Sequence, residues 1–269
     1  MARLKFGSFR ADDFQGSDRK DVFFGLRGND TISGSGGSDL LIGGRGADQV
    51  FGGSGNDLLS GGSGHDTLTG GAGSDVIVGG SGRDLLIYQA DQNLGSHDYY
   101  NGGRGKDTLR LELSKETWVS RAFQSDLASL LSGSASYSDG LAGQRFTFES
   151  LGLNVRRIEE IEIFVEGQQL NDVDDAVVAV DDTLTLTTDV ETATGNVLLN
   201  DQVADLVTDV TVARQAQFGL VTTAPDGTFT YQLDTDASAV AALTKGETLT
   251  DSFEYTVRDA DGDLATATV

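Results

Sequence analysis

The sequence predicts an all-β chain of 269 residues in three parts. Residues 1–111 are expected to form a parallel β-solenoid (a β-roll), residues 112–170 a small α+β segment, and residues 171–269 an antiparallel β-sandwich. Three observations predict this division. Gly and Asp recur every nine residues in the first part, helical spacing followed by alternation occupies the second, and short alternating segments separated by turns fill the third.

The composition narrows the function before any motif is considered. The 42 Asp and Glu outnumber the 19 Lys and Arg, so the formal net charge is −23. Nucleic acid is therefore not expected as a partner, because its backbone attracts the opposite charge. The chain has no Cys, which excludes disulfides, thiolate metal sites and cysteine nucleophiles. Apolar runs are only a few residues long, so we expect no membrane span, and residues 1–6 lack the apolar core of a secretory signal.

The nine-residue period defines the first part. Asp recurs in steps of nine from Asp12 to Asp84, an apolar residue follows each Asp by two positions, and a Gly precedes it by five. Five units in a row, starting at Gly43, read Gly-Gly-x-Gly-x-Asp-x-U-x in full, where U is apolar. The phase slips by five residues before Asp98 and resumes through Asp107. No helix suits this pattern, because helical faces recur every 3.6 residues and Gly is a poor helix former.

Each unit predicts a glycine turn followed by one short strand with U facing inward. Two opposed sheets are needed to enclose the U side chains, so we expect two units of the repeat in each coil of the solenoid. One inward side chain per unit makes a thin core, and ordering the chain costs conformational entropy at every residue. The roll is therefore expected to need a bound ligand in order to fold.

The periodic carboxylates identify that ligand as a divalent cation. Stacked coils lie about 4.8 Å apart, so a Ca²⁺ ion between them reaches carboxylates and turn carbonyls at about 2.4 Å. Mg²⁺ fits less well, since it prefers tight octahedral geometry and keeps its waters. Several calcium ions are expected. The predicted ligands are Asp30, Asp39, Asp48, Asp57, Asp66, Asp75, Asp84 and Asp107, with the turn glycines Gly43, Gly46, Gly52, Gly55, Gly61, Gly64, Gly70, Gly73, Gly79 and Gly82.

These repeats resemble the calcium-binding nonapeptide repeats of the repeats-in-toxin (RTX) family, across residues 7–109. The resemblance implies a parallel β-roll, folding driven by calcium after export, and a secreted bacterial protein that commonly uses type I secretion. Asp12 and Asp21 lie in degenerate units, in which Arg10 and Arg19 replace the third Gly. We expect these two Asp residues to belong to a capping turn rather than to bind metal.

The middle part predicts one helix over Ser114–Leu131, followed by a pair of strands around residues 146–148 and 161–165. Trp118 is expected in the core rather than in a binding groove. Segments of this kind resemble the stretch that closes RTX rolls. We therefore expect residues 112–170 to cap the open end of the roll, and either this segment or another chain to cover the apolar residues that flank U on one face.

The last part is strongly acidic, with 19 acidic and 3 basic residues. Alternation predicts strands at Leu184/Leu186, Val210/Val212, Phe229/Tyr231/Leu233, Phe253/Tyr255/Val257 and Ala265/Ala267/Val269. The segments 195–201, 226–231 and 251–263 resemble bacterial cadherin-like (VCBS-type) immunoglobulin-fold repeats of surface adhesins. Such domains usually occur in tandem, so we expect this chain to be a piece of a longer one.

The acidic residues of the last part leave two interpretations open. Either they form an interdomain calcium site, as carboxylates do in that family, or they form turns and add solubility. The residues concerned are Asp181, Asp182, Asn200, Asp201, Asp259, Asp261 and Asp263.

The function expected is that of a non-catalytic, extracellular calcium-binding module of a secreted RTX adhesin, with neighbouring domains or a cell-surface ligand as partners. The alternative is an accessory region of a secreted protease or lipase whose catalytic domain lies outside this chain. The chain has no His-Glu-x-x-His or Gly-x-Ser-x-Gly motif. Its two His residues are His65, at a variable turn position, and His97, in the five-residue insertion, so no enzyme is expected. A third reading, an ice- or carbohydrate-binding face, has only Thr31/Ser33 and Thr67/Thr69 in its support.

Overall fold

Glycine turns and single inward side chains build the first part of the chain into two stacked parallel sheets. The structure is a computed structural model, and it describes residues 3–131, 145–170, 177–185, 191–203, 207–244, 247–259 and 263–269. The chain divides into two compact units, residues 1–118 with 125–172 and residues 119–124 with 173–269. Among the described residues, no helix has the length and apolar character that a membrane crossing requires.

The roll and the middle part supply sixteen of the described strands. They are β1 (Arg3–Phe6), β2 (Asp13–Ser17), β3 (Asp21–Arg27), β4 (Thr31–Gly36), β5 (Leu40–Arg45), β6 (Gln49–Ser54), β7 (Leu58–Gly64), β8 (Thr67–Ala72), β9 (Val76–Gly82), β10 (Leu85–Gln89), β11 (Asp98–Gly105), β12 (Thr108–Leu113), β13 (Arg145–Phe148), β14 (Leu153–Arg156), β15 (Glu160–Val165) and β16 (Gln168–Leu170). The first sheet has the order β1-β3-β5-β7-β9-β11-β14-β13, and the second has the order β2-β4-β6-β8-β10-β12-β15-β16.

The strand register confirms two nine-residue units per coil. Val22 on β3 pairs with Leu40 on β5, and the difference of 18 residues (40 − 22) recurs through both sheets. Val76 on β9 pairs with Tyr99 on β11, a difference of 23 (99 − 76), which confirms the five-residue insertion. The inward U side chains are fully buried, with 0% exposure at Phe23, Ile32, Leu41, Val50, Leu59, Leu68, Ile77 and Leu86.

The middle part differs from the prediction in two respects. The single predicted helix is divided at Ser120 into α1 (Lys115–Val119) and α2 (Arg121–Leu131). The predicted strand pair is wrong, because β13 pairs antiparallel with β14, whereas β15 pairs in parallel with β12. The physical reason is that Glu159-x-Ile161 repeats the acid-x-apolar order of the nonapeptide, which lets β15 join the second sheet as one more coil. Trp118 is 1% exposed, as expected for a core residue.

The sheets terminate in different ways at the early and the late end of the roll. At the late end, the antiparallel strands β13 and β16 pair with the last parallel strands, β14 and β15. At the early end, β1 and β2 are the outermost strands. The strands of the middle part thus lengthen both sheets, and on the flanking apolar face Leu58 and Val76 remain 44% and 39% exposed.

The second unit contains two three-stranded antiparallel sheets, β17-β20-β19 and β18-β21-β22. Its elements are β17 (Thr192–Asn196), β18 (Val207–Arg214), β19 (Gly219–Thr223), β20 (Thr228–Leu233), α3 (Ser238–Ala241), β21 (Glu254–Asp259) and β22 (Leu264–Thr268). The predicted alternating segments at residues 210–212, 229–233, 253–257 and 265–269 all contribute to these strands. Leu184 lies outside the strands, and Leu186 lies outside the described residues. Buried side chains from both sheets, such as Val210, Tyr231 and Val257, form the core.

Candidate metal centre

The periodic Asp residues precede the roll strands, and the protein buries them. Their exposure is between 0% and 3% at Asp21, Asp30, Asp39, Asp48, Asp57, Asp66, Asp75, Asp84, Asp98 and Asp107. Burial of an ionised carboxylate is costly unless hydrogen bonds and an opposite charge compensate for it. The four ion pairs between described residues have Glu160, Glu162 or Glu254 as the acidic partner, so none of them includes one of these Asp residues.

From Asp30 to Asp107, one oxygen of each carboxylate accepts a hydrogen bond from the backbone of the preceding coil. The backbone N–H of Asp48, for example, donates to Oδ1 of Asp66 at 2.9 Å, and the N–H of Asp66 donates to Oδ1 of Asp84 at 3.0 Å. Two such series run along the roll, one on each side. The Glu159 ladder comprises Asp12, Asp30, Asp48, Asp66, Asp84, Asp107 and Glu159, and the Gly152 ladder comprises Asp21, Asp39, Asp57, Asp75, Asp98 and Gly152.

The second oxygen, Oδ2, is buried and has no hydrogen-bond partner among the described residues. This holds for Asp30, Asp39, Asp48, Asp57, Asp66, Asp75, Asp84, Asp98 and Asp107. In the units from Asp30 to Asp84, and again at Asp107, this oxygen packs against the Gly five positions earlier. A Cβ atom at Gly79, for instance, would lie 2.6 Å from both Asp84 Oδ2 and the carbonyl oxygen of Gly102 in the next coil. Glycine therefore keeps open the space that a free carboxylate oxygen and a carbonyl oxygen share.

The predicted turn glycines occupy two distinct places. The first Gly of each complete unit lies against Oδ2 of that unit's Asp, at Gly43, Gly52, Gly61, Gly70 and Gly79. The third Gly has a positive φ, between +123° and +141°, at Gly46, Gly55, Gly64, Gly73 and Gly82. A Cβ atom at any of these third positions would collide with the carbonyl group one coil earlier. The stacking distance between turns thus requires glycine.

The degenerate units show how Oδ2 can be satisfied in this fold, although at Asp21 it is then Oδ1 that is buried without a partner among the described residues. Oδ2 of Asp12 accepts hydrogen bonds from the backbone N–H of Ser8 at 2.6 Å and from its hydroxyl at 3.0 Å. Oδ2 of Asp21 accepts the same two bonds from Ser17. In the units from Asp30 to Asp84 the residue at the equivalent position, such as Gly44, has a positive φ, and Oδ2 stays unpaired within the described part of the chain.

The electrostatics of the ladders follow from this burial. Desolvation raises the pKa of Asp66 and of Asp75 to about 7, and the neighbouring carboxylates add to the shift. Desolvation likewise raises the pKa of Asp57, Asp98 and Asp107 to about 6. The pKa values of Asp30, Asp39, Asp48 and Asp84 are raised for the same leading reason. The roll therefore gathers carboxylates whose ionised form is disfavoured by burial, and a neighbouring cation would stabilise that form.

The donor set fits calcium. Every candidate ligand atom is a carboxylate or carbonyl oxygen. Ca²⁺ prefers ligands of this kind, whereas a Zn²⁺ or Cu²⁺ site does not require them. Within the described ranges, no group of three or more acidic or His side chains converges on one point. Each candidate site is consequently expected to combine carboxylates of neighbouring coils with turn carbonyls, as the spacing of the repeat indicates.

Comparison with known families agrees with this geometry. Residues 15–50 and 51–86 match the RTX calcium-binding nonapeptide repeat. The chain carries RTX calcium-binding repeats. Residues 174–269 match the bacterial Ig domain, which confirms the expected immunoglobulin-type sandwich after the RTX roll. No curated protein matches the chain. RTX repeats and bacterial Ig domains typically play structural, non-catalytic roles.

The RTX ladders also contain residues outside the predicted ligand set, among them Asp98, Asp21 and Glu159. Asp98 was in phase but was not included, although it is 2% exposed and its Oδ2 is unpaired among the described residues. Asp21, expected only in a capping turn, is 0% exposed and donates its N–H to Asp39 Oδ1. Glu159 ends one ladder by accepting the N–H of Asp107 at 2.9 Å. The signal available for Asp98 and Glu159 was an apolar residue two positions later, at Tyr100 and Ile161.

The acidic residues of the bacterial Ig domain form hydrogen-bonded groups. The hydroxyl of Tyr255 donates to Asp201 Oδ1 at 3.0 Å, and burial together with the Asp201 charge raises the pKa of Asp182 to about 6. Asp181 Oδ1 accepts the N–H of Thr268 at 2.9 Å. Asn200 donates to the Asp181 carbonyl oxygen at 3.0 Å, and Asp259 Oδ1 accepts the N–H of Asp263 at 2.8 Å; Asp261 lies outside the described residues.

Proposed function

We propose that the chain is a non-catalytic, extracellular calcium-binding module of a secreted bacterial protein, and that the RTX roll folds when calcium binds. One observation carries the proposal. Nine consecutive ladder Asp residues, from Asp30 to Asp107, are almost fully buried, and each has one carboxylate oxygen without a hydrogen-bond partner among the described residues. Without cations, the hydrogen bond to Oδ1 is the contact that offsets the burial of each of these charges, and one such bond is a small compensation for a buried carboxylate.

The chain's own contribution is to position these oxygens within the folded roll. The hydrogen bond to Oδ1 fixes the orientation of each carboxylate, and the adjacent Gly leaves Oδ2 free beside the next coil. When bound, calcium supplies two positive charges among these oxygens. The ladder Asp residues and the carbonyl groups of the turn glycines from Gly43 to Gly82 are the proposed ligands.

The place where the module folds follows from the calcium concentration. Extracellular calcium modules typically bind with dissociation constants of about 10⁻⁴–10⁻³ M. A site of this affinity stays empty in the cytosol and fills outside the cell. Because the folded roll binds the ion and the unfolded chain does not, the binding free energy becomes folding free energy. We therefore propose export in an unfolded state and folding after release.

The bacterial Ig domain supports a role in adhesion or as a spacer between neighbouring domains. Its two antiparallel sheets are built around a buried apolar core, with Tyr255 and Val257 at 0% exposure. Domains of this type serve as structural units in larger proteins. We propose that neighbouring domains of a longer chain or a cell-surface ligand are its partners.

A calcium titration tests the proposal. The chain in calcium-free buffer at pH 7.5 is followed by far-UV circular dichroism while calcium is added, and the heat of binding is measured by calorimetry. We expect a cooperative gain of β-structure with a sub-millimolar midpoint, and a much weaker response to Mg²⁺. A chain that shows the full β-signal in excess chelator, or an equal response to both ions, would contradict the proposal.

A further inference from the structure

The Glu159 ladder ends in a carboxylate that no nonapeptide supplies. Thr108 pairs with Glu160 in the register of β12 and β15, so Glu159 stands in register with Asp107, where the next periodic Asp would be. Its Oε2 accepts the N–H of Asp107 at 2.9 Å, just as Asp107 Oδ1 accepts the N–H of Asp84 at 2.9 Å. The longer Glu side chain thus continues the ladder from a segment without the glycine motif.

The surroundings of Asp107 repeat those of the inner coils. Asp107 is 0% exposed, and its Oδ2 has no hydrogen-bond partner in the part of the chain that the structure describes. A Cβ atom at Gly102 would lie 2.7 Å from this Oδ2 and would also collide with the carbonyl oxygen of Arg157. Arg157, at the position of the third Gly, also has a positive φ, which at +53° is smaller than the +123° to +141° of the third Gly in the repeats. The same arrangement of one free carboxylate oxygen and one carbonyl oxygen is found at Gly79.

We propose that Asp107 and Glu159 bind a calcium ion at the last coil junction, with the carbonyl oxygen of Arg157 as a further ligand. This proposal rests on the proposed function, since it assumes that the inner junctions bind calcium. It extends calcium binding to a residue outside the matched RTX repeats, which end at residue 86.

The other ladder shows that a carboxylate is not needed merely to end the series. There the N–H of Asp98 donates to the carbonyl oxygen of Gly152 at 2.9 Å, so a neutral acceptor completes the hydrogen bonding. A second carboxylate beside the buried Asp107 adds repulsion, because Glu159 is among the charges that raise the pKa of Asp107. The nearby cations do not relieve this repulsion, since Lys106 and Arg83 both contact Glu160.

The site has a structural consequence for the middle part of the chain. Glu159 directly precedes β15, which pairs with β12, and α1 follows β12 after a single residue. An ion held by Asp107 and Glu159 therefore links the last RTX coil to the strand that continues the roll. Calcium is expected to order β15, and the described strands that pair with it, together with the repeats.

The test uses the whole chain and the variant Glu159→Gln. Gln keeps an oxygen that accepts the N–H of Asp107, so a purely structural role predicts no change in calcium binding. The variant Glu160→Gln is the matched control, because it removes the same charge one residue away, from a half-buried ion pair with Lys106. Bound calcium is counted by equilibrium dialysis, and the emission of Trp118, the single Trp of the chain, reports on the middle part.

We expect Glu159→Gln to bind one ion fewer than the wild type and to need about tenfold more calcium for the Trp118 change, since ligand charge tunes calcium affinity. Glu160→Gln is expected to behave as the wild type does. Equal ion counts and equal midpoints in the wild type and Glu159→Gln would overturn the inference. A wild type that shows no calcium response at all would instead refute the proposed function.

A second variant covers the case in which Glu159→Gln does not fold at saturating calcium. Asp107→Asn keeps the acceptor for the N–H of Asp84 and removes the charge from the other partner of the site. The expected result is again one ion fewer and a higher calcium midpoint for Trp118. An unchanged ion count in this variant would overturn the inference.

Discussion

The substitution Asp66→Asn is expected to have opposite effects on the calcium-free and the calcium-bound roll. Asp66 is 1% exposed in the middle of the Glu159 ladder. An Asn side chain keeps an oxygen that accepts the N–H of Asp48 and replaces the free Oδ2 with a neutral amide. The variant removes a buried charge that is unfavourable without calcium and that is a proposed ligand with calcium.

The magnitude follows from the pKa. Desolvation raises the pKa of Asp66 from 3.8 to about 7, and a shift of about 3 units corresponds to about 4 kcal/mol at about 1.4 kcal/mol per unit. At pH 8 the ionised side chain therefore destabilises the calcium-free roll by an amount of that order. The new amide N–H₂ is buried and unpaired, which costs about 1–3 kcal/mol. The net expectation is a calcium-free roll that is more stable by about 1–3 kcal/mol.

The assay compares the two states at pH 8 by circular dichroism. In chelator, folding is induced with trimethylamine N-oxide, and Asp66→Asn is expected to fold at a lower osmolyte concentration than the wild type. In a calcium titration the same variant is expected to need more calcium. Asp13→Asn is the control, because Asp13 is exposed and lies outside the ladders. A variant that is destabilised in chelator, or that keeps the wild-type calcium midpoint, would refute the reasoning.

Three further results are expected. In calcium-free buffer the β-signal should rise as the pH falls from 8 towards 4, because the pKa of Asp75 is about 7 in the folded roll and 3.8 in the unfolded chain. The stabilisation that protonated Asp75 contributes is therefore fully present below pH 3.8 and is lost as the pH rises through 7. A signal that falls with the pH would contradict this sign. Gly64→Ala should lower the free energy of unfolding of the calcium-bound roll, measured in urea, by at least about 3 kcal/mol, since φ is +140° and the methyl group meets a backbone carbonyl. The control Gly95→Ala, with no atom within 4 Å of its Cβ, should cost about 1–2 kcal/mol. Equal losses in the two variants would show that the stacking of turns is not the cause. Tyr255→Phe should lower the stability of the Ig domain by about 1–3 kcal/mol, because buried Asp201 loses a hydrogen bond, and a shifted calcium midpoint of the roll would count against this assignment.

The period of the sequence was sufficient to predict the roll. A nine-residue repeat with one apolar residue per unit has few ways to bury that residue, and the register of 18 residues between Val22 and Leu40 confirms the predicted pairing. The proposed ligand oxygens follow from the same period, because Asp66 and Asp84 occupy equivalent places in successive coils. Regular repetition makes local sequence and global structure agree.

The parts that the sequence did not predict lack this repetition. The pairing of β15 with β12 joins residues 52 positions apart, such as Thr108 and Glu160, and no motif spans that distance. Glu159 does not follow from the repeat, because the repeat is defined by Asp and Gly at fixed spacing, whereas this position has a longer acidic side chain and is preceded by Arg157, which has a positive φ. The division of the predicted helix at Ser120 likewise depends on tertiary packing, which helical spacing does not report.

The most direct measurement of the central claim is a crystal structure of the chain grown in calcium, with an anomalous difference map collected at a long wavelength. Peaks are expected at the coil junctions along both ladders, within about 2.3–2.6 Å of the free carboxylate oxygens of the Asp residues between Asp30 and Asp107. Well-ordered coils with no anomalous peak beside these oxygens would contradict the claim that calcium stabilises the buried carboxylates and holds the roll together.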